Sequence, residues 1–353
     1  MFVYVGAYTE PGMGSAKGIA VFRFDPDAGT LSPVQVVAGV ANPSFLALDA
    51  AGRHLYAVNE LPEGGVTAFD RDPATGMLAE INRQPAHGAD SCYVSLAAGE
   101  RFALVANYTG GTIAVLPIGA DGRLEPATDV IHHEGSGVRP EQEGAHPHMI
   151  APDPDGRHVL VTDLGVDRVF VYQLDTNTGQ LVPNERGAPF VQEDAGSGPR
   201  HFAFAPHSRW LYVIDELAST LTVYAYESER GVLKPLQTVS TLPADFTGEN
   251  SCAHVALAPD GRFVYGSNRG HDSIAIWAID QVRGEVRLVG HEPTRGQTPR
   301  NFALDPSGAW LLAANQDSDS IVVFRRDPAA GSLAATGAIT PTPSPVAILF
   351  STA

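Results

Sequence analysis

The sequence lacks most of the features that assign a protein quickly. No apolar run approaches the roughly 18 residues that a membrane-crossing helix needs, so a helical span is not expected. Cysteine occurs only at Cys92 and Cys252, which gives no disulfide framework, no CxxC pair and no zinc-ligand spacing. Positive charge is scarce: 23 Lys and Arg against 40 Asp and Glu leave a formal net charge of −17. That balance argues against nucleic acid and anionic membrane surfaces as partners. The opening MFVYVGAYTE has neither a basic segment nor a small-residue cleavage site, and reads as a strand, not a signal peptide. With so few thiols, the cytoplasm is the expected compartment. No GxGxxG or GxxxxGK[ST] surrounds Gly110-Gly111, so it is not a phosphate loop, and the GxSxG elbow of α/β serine hydrolases is missing. Disorder is excluded, because charged residues make up only 18% and apolar segments recur to the end.

What the chain has in plenty is punctuation. Its 36 Gly and 27 Pro are spread over the whole length instead of gathered in linkers, which disfavours helix-rich folds. Between them one phrase returns six times. A short apolar run and a turn lead into a second apolar run closing on a polar pair, and a third β-rich run follows. The second runs are HLYAVNE, FALVANY, HVLVTDL, WLYVIDE, FVYGSNR and WLLAANQ. Their closing Asn or Asp falls at Asn59, Asn107, Asp163, Asp215, Asn268 and Asn315, at intervals of 48, 56, 52, 53 and 47 residues. A period of about fifty accommodates four strands and their turns.

A seventh unit is divided between the two ends. FVYVGAYTE, GIAVFRFD and TLSPVQV supply its second to fourth runs, and Ser344–Phe350 supplies its first. Complementary ends close a ring and hide terminal strand edges, where a linear solenoid would carry polar caps. The expectation is one all-β domain over residues 1–353, a seven-bladed β-propeller with four antiparallel strands per blade.

In such a blade the first strand lines the central channel and the second runs antiparallel beside it. The start of one and the end of the other therefore share one mouth of the ring. Two columns of residues converge there. The first reads Ser44, Cys92, His148, Arg200, Ala253 and Arg300; the second reads Glu60, Tyr108, Leu164, Glu216, Arg269 and Gln316. Structural repeats place like residues at like positions, yet these columns hold two Glu, three Arg, one His and one Tyr. Three arginines at one rim of so acidic a protein suit an anion. The long connections His132–His146, Val191–Pro199 and Leu242–Ser251 open onto the same mouth, where function concentrates in such folds.

Each of these residues has a plainer explanation to set against the functional one. The recurring Asn and Asp suit capping of the turn that follows; Asn107 and Asn268, beside unusual residues, stay in view as substrate-binding candidates. Position favours His148 as a functional imidazole, whereas strand alternation should turn His201 off the channel. Glu216 is a costly charge there unless Arg200 or Arg269 pairs it. Tyr108 could stack on a polyol or simply fill the channel, and Glu60 precedes what looks like an ordinary exposed turn. His132, His133 and His146 with Glu134 lack the HxH or HExxH spacing of a metal site and read as surface loop. Cys92 has no base near it in sequence and is not expected to be a nucleophile.

The segments Gly-Pro-Arg-His (198–201), Asp-Glu-Leu (215–217), Ser-Asn-Arg (267–269) and Thr-Pro-Arg-Asn-Phe (298–302) resemble the lactonase family of seven-bladed propellers. That family includes the bacterial propeller-type 6-phosphogluconolactonase and the fungal 3-carboxy-cis,cis-muconate lactonizing enzyme, and the resemblance runs over essentially the whole chain. It implies a catalytic group of His148, Arg200, Arg269 and Glu216, with Arg300 matching a further recurring arginine. It also implies hydrolysis of 6-phosphogluconolactone to 6-phosphogluconate, a pentose-phosphate step. A lactone is an activated ester, so positioning a water and stabilising an oxyanion suffice. His148 or Glu216 would be the base, the imidazole being favoured because a Glu would need its pKa raised. Arg200 and Arg269 would hold oxyanion and phosphate. Arg300, His201, Asn107, Tyr108, Asn268 and Glu60 form the expected substrate-binding set. No metal or cofactor is called for; the expected partner is a small anionic sugar-lactone substrate, and the expected state is a monomer or weak homo-oligomer. Muconate lactonisation by the same residues, a metal-dependent sugar lactonase and a non-catalytic binding propeller are the alternatives.

Overall fold

Runs of alternating polarity cut by glycine turns can bury only one face each, and here they do so by standing as blades around an axis. The computed structural model describes residues 1–206 and 209–351. They form seven antiparallel sheets whose strands follow chain order outward from the channel, except that in one the last strand of the chain is innermost and the first three follow it. The channel-lining strands are Leu46–Leu48, Ser91–Ala97, Pro147–Pro152, Pro199–Phe204, Ser251–Leu257, Pro299–Leu304 and Pro345–Phe350. In the sheet that begins at Pro147 the outer position is filled by two short pieces, Gln180–Pro183 and Phe190–Gln192, both paired with Arg168–Asp175. Among the described residues no helix is long and apolar enough to cross a membrane.

Burial follows position in the blade. Second strands such as Trp210–Asp215 and Trp310–Asn315 are buried along their whole length, since neighbouring blades cover both faces. They are accordingly the most continuous apolar runs in the sequence. Outermost strands such as Leu333–Pro341 are largely exposed. The blades are also tied edge to edge. Tyrosines of four second strands donate to glycine carbonyls of the next blade's turn: Tyr4 to Gly76, Tyr56 to Gly122, Tyr212 to Gly284 and Tyr265 to Gly331, at 2.7–3.0 Å. At Gly76, where φ is +75°, a β-carbon would lie 2.3 Å from the Phe2 ring, so both its conformation and its place against the aromatic require glycine.

Ring closure joins the two ends of the chain. Pro345–Phe350 pairs with Phe2–Ala7, from Val3 opposite Phe350 to Ala7 opposite Pro345. Ser351 then exchanges hydrogen bonds with the Phe2 backbone. Val3, Val5, Phe24, Leu312 and Ile348 share one core cluster across this seam. Ile348→Asp, which places a charge in that cluster, is expected to cost more than about 3 kcal/mol in urea unfolding. Val36→Asp, on an outer strand at a residue 57% exposed, should leave the midpoint unchanged.

Candidate active site

The side chains at the mouth are aimed by one repeated backbone device. Residues Asn42, Asp90, Gly198, Thr298 and Ser344, each just before a channel-lining strand, take positive φ between 37° and 64°. Their carbonyls accept the backbone N–H of Glu60, Tyr108, Glu216, Gln316 and Tyr8 respectively, at 2.7–3.1 Å. The strand then gains one extra residue against its partner. Pro147 faces Asp163 and Met149 faces Thr162; Pro199 faces Asp215 and His201 faces Ile214; Pro299 faces Asn315 and Asn301 faces Ala314. The unpaired residues are His148, Arg200 and Arg300, with Cys92 and Val346 in the same place in two other blades. A β-bulge frees a side chain from the sheet's alternation and re-aims it. Here it points the first column into the channel.

Glu216 lies between two arginines, with Arg200 Nε 2.7 Å from Oε2 and Arg269 Nη2 2.9 Å from Oε1. Arg269 also donates to the Cys252 carbonyl at 2.8 Å, and Arg200 to that of Ala253. Burial would raise the Glu216 carboxyl, but Arg269, Arg200 and Arg300 outweigh it and hold it below the usual carboxylate range. Arg200, almost wholly buried, is pushed down to about 10 by desolvation, partly offset by Glu216, so it stays charged at neutral pH. Arg300 lies over the Tyr8 ring, 5.4 Å from its centroid. Among the described residues no carboxylate comes within 4 Å of its guanidinium, which leaves it the freest of the three cations.

His148 sits among Cys92, Tyr108 and His201, with Nδ1 3.9 Å from Cys92 Sγ. Desolvation first, then Arg200 and Arg300, hold its imidazole well below the ordinary range, so it is neutral at physiological pH. Burial keeps the Cys92 thiol protonated, which fits packing and not nucleophilic attack.

Beneath this group four rings cross the channel. Phe45 stacks on Tyr93 at 4.0 Å, both meet His201 edge to face, and His201 Nδ1 is 2.9 Å from His254 Nδ1. On the rim side lies a pocket of about 770 Å³ lined by Arg139, Glu141, Glu216, Glu249, Asn250 and Arg269. Between the rim and the rings is a small inner cavity bordered by Ser44, Glu60, Cys92, His148, Arg200 and Arg300. A separate cavity of about 680 Å³ opens at the opposite mouth.

Several sequence expectations need correction. His201 faces into the channel, because the bulge at Arg200 resets the alternation by one residue; it is 2% exposed and belongs to the ring floor. Asn107 and Asn268 do not reach the mouth. Both are fully buried, and their amides are bonded within the blade, Asn107 to Ser91, Ala86 and Thr112, Asn268 to Thr241 and Ser273. They cap strand ends, as does Asp215, whose Oδ2 accepts from Thr220 and Thr222. Glu60 is buried beside the channel, not on an exposed turn, and accepts the Tyr8 hydroxyl at 2.9 Å. Glu216 does not have the raised pKa that a carboxylate base would need. His133 and His146 are buried, not surface residues. His133 bridges Asp163 and Tyr172, and His146 stacks on Tyr108 at 4.5 Å. Among the described residues no three His, Cys, Asp or Glu side chains group to hold a metal ion.

Sequence reasoning missed Tyr8, Val346, His254 and Arg139. Tyr8 and Val346 are the seventh members of the two columns and follow from carrying the alignment through the divided unit. Arg139 comes from the 132–146 loop, and its place rests on Gln142, whose buried side chain bonds Leu164, Asp167 and the Val138 and Arg139 N–H groups.

A propeller that gathers a neutral imidazole, an ion-paired carboxylate and a free guanidinium at one mouth belongs among the enzymes acting on small polar molecules. Residues 2–350 match the family model described as Lactonase, 7-bladed beta-propeller. The chain is 34% identical over 300 residues to a 6-phosphogluconolactonase of Bacillus subtilis, covering 85% of this chain and 83% of that one. It is 34% identical to a 6-phosphogluconolactonase of Formosa agariphila, with 85% of each covered. The solved structure of the Pseudomonas aeruginosa periplasmic gluconolactonase PpgL superposes with a TM-score of 0.94 at 36% identity, over 99% of both chains. The protein belongs to the lactonase family of seven-bladed β-propellers.

The electrostatic reading of His148 is open to direct test. Arg300→Gln removes one of the cations that disfavour the imidazolium, so the His148 titration followed by ¹⁵N NMR should shift upward, towards the ordinary imidazole range. An unchanged titration would show that Arg300 does not act on it.

Proposed function

We propose that the protein hydrolyses 6-phosphogluconolactone to 6-phosphogluconate at the channel mouth. The observation that carries this reading is the convergence of His148, Arg200, Glu216, Arg269 and Arg300 on one mouth, in a chain whose relatives include proteins named 6-phosphogluconolactonase. The rim pocket, about 770 Å³, has room for a six-membered lactone ring and its exocyclic phosphorylated carbon. Arg300, without a carboxylate of its own, is available to the developing oxyanion or the phosphate. Arg200 and Arg269 are held in place by Glu216 and add positive potential beside them. This shifts the anion-holding role towards Arg300, because the other two guanidiniums are already ion-paired.

The chemistry asks for one base. Neutral His148 accepts a proton from the attacking water and returns it to the ring oxygen as the tetrahedral intermediate collapses. Glu216 serves as a positioning residue for the two arginines. A pentose-phosphate role, a reduced compartment compatible with two free buried cysteines, and a monomer or weak oligomer without nucleic-acid partners complete the proposal.

Purified protein assayed on 6-phosphogluconolactone, unphosphorylated gluconolactone and a carboxymuconate separates this reading from its rivals. Turnover of the phosphorylated lactone is expected, and His148→Asn should lower kcat by about 10²–10⁴-fold with little change in KM. Activity on the muconate alone would replace the proposal.

A further inference from the structure

Ser44 and Glu60, at the inner cavity, each have a buried polar atom with neither a hydrogen-bond partner nor an ion pair. Ser44 and Glu60 belong to one blade and are fixed by Asn42. Its carbonyl accepts the backbone N–H of both, at 2.8 and 3.1 Å, and its side-chain amide donates to the Glu60 carbonyl at 3.0 Å. Asn42 is in turn held by the Thr9 and Glu10 N–H groups. Glu60 Oε1 accepts from Tyr8, but its Oε2 is buried with no hydrogen-bond partner, and so is Ser44 Oγ. Both residues are more than nine-tenths buried and both line the inner cavity.

A buried polar atom without a partner is costly, and such atoms in native folds usually meet water or ligand. The inner cavity has a free volume of about 10 Å³, at the lower edge of the roughly 10–15 Å³ that one water requires. It is far too small for a lactone, which the rim pocket admits. The Arg200–Glu216 pair lies between the two spaces, Arg200 bordering the inner one and Glu216 the outer.

We propose that Glu60 and Ser44 hold the hydrolytic water in the inner cavity, beside His148. Glu60 is then a catalytic residue that touches the nucleophile, a role that rests on lactone hydrolysis being the reaction. Glu60 Oε2 and Ser44 Oγ orient the water so that a lone pair faces the carbonyl carbon of a lactone in the rim pocket. The water oxygen bonds to that carbon, one proton passes to His148, and the carbon–ring-oxygen bond breaks as the proton is returned to the ring oxygen. The products are a hydroxycarboxylate and one proton released to solvent. Glu216 cannot take this part, because both of its oxygens are ion-paired.

The test uses the full chain and two readouts. Glu60→Gln keeps the shape and the Tyr8 contact, and should lower kcat about 100-fold or more with KM within about threefold. Ser44→Ala should lower kcat by a smaller factor. A Glu60→Gln protein with raised KM and unchanged kcat would confine Glu60 to substrate binding and overturn the proposal. Independently, an atomic-resolution crystal structure of the wild-type protein should show an ordered water within hydrogen-bond distance of Glu60 Oε2 and Ser44 Oγ. A dry cavity overturns the proposal whatever the variants do. Wild-type protein inactive on every lactone would refute the activity itself, and the water site would then stand or fall by the crystal structure.

Discussion

One backbone constraint underlies the site: at the mouth of the ring, the channel-lining strands carry one more residue than their partners can pair. In a regular sheet, side chains of consecutive residues face opposite ways, and His148, Arg200 and Arg300 would be committed to whichever blade face their parity dictates. A bulge in each strand, preceded at Arg200 and Arg300 by a left-handed residue, releases these side chains towards the axis. The same step lets Arg200 and His201, adjacent in sequence, both face the channel. Positive φ at Thr298, a β-branched residue, is an unfavourable conformation that the rest of the fold sustains next to Arg300, and strain of that kind concentrates at functional sites.

Charge balance determines what the gathered side chains can do. Three guanidiniums against Glu216 and Glu60 leave a modest positive excess inside a protein of net charge −17. Burial in that field keeps His148 neutral, while Glu216 is held ionised between two arginines. The two groups are thus driven into complementary states, a proton acceptor and a fixed anion that anchors cations. The ring floor of Phe45, Tyr93, His201 and His254 stands between these groups and the cavity of the opposite mouth, and a lower local dielectric strengthens their interactions.

Much of this was legible from residue order. The fifty-residue period, the divided seventh unit and the rim columns all follow from strand connectivity, and they named His148, Arg200, Glu216, Arg269 and Arg300 correctly as neighbours at one mouth. What was not legible depended on features a periodic pattern does not carry. A bulge is invisible in alternation, so His201 was assigned to the wrong face. The binding role considered for Asn107 and Asn268 failed because hydrogen-bond saturation depends on Ser91, Thr112, Thr241 and Ser273, contacts that only the folded blade provides. The buried places of His133, His146 and Arg139 depend on how one long loop folds back, and spacing says nothing about that.

The central claim is spatial: the reacting molecule sits on the Glu216–Arg269 side of the ring floor. A crystal structure of the protein with the hydroxy-acid product bound tests it most directly. The account predicts the product in the rim pocket, its carboxylate within hydrogen-bond reach of an arginine of the Arg200, Arg269 and Arg300 group and facing His148. Product found instead in the cavity of the opposite mouth, beyond Phe45 and Tyr93, would contradict it.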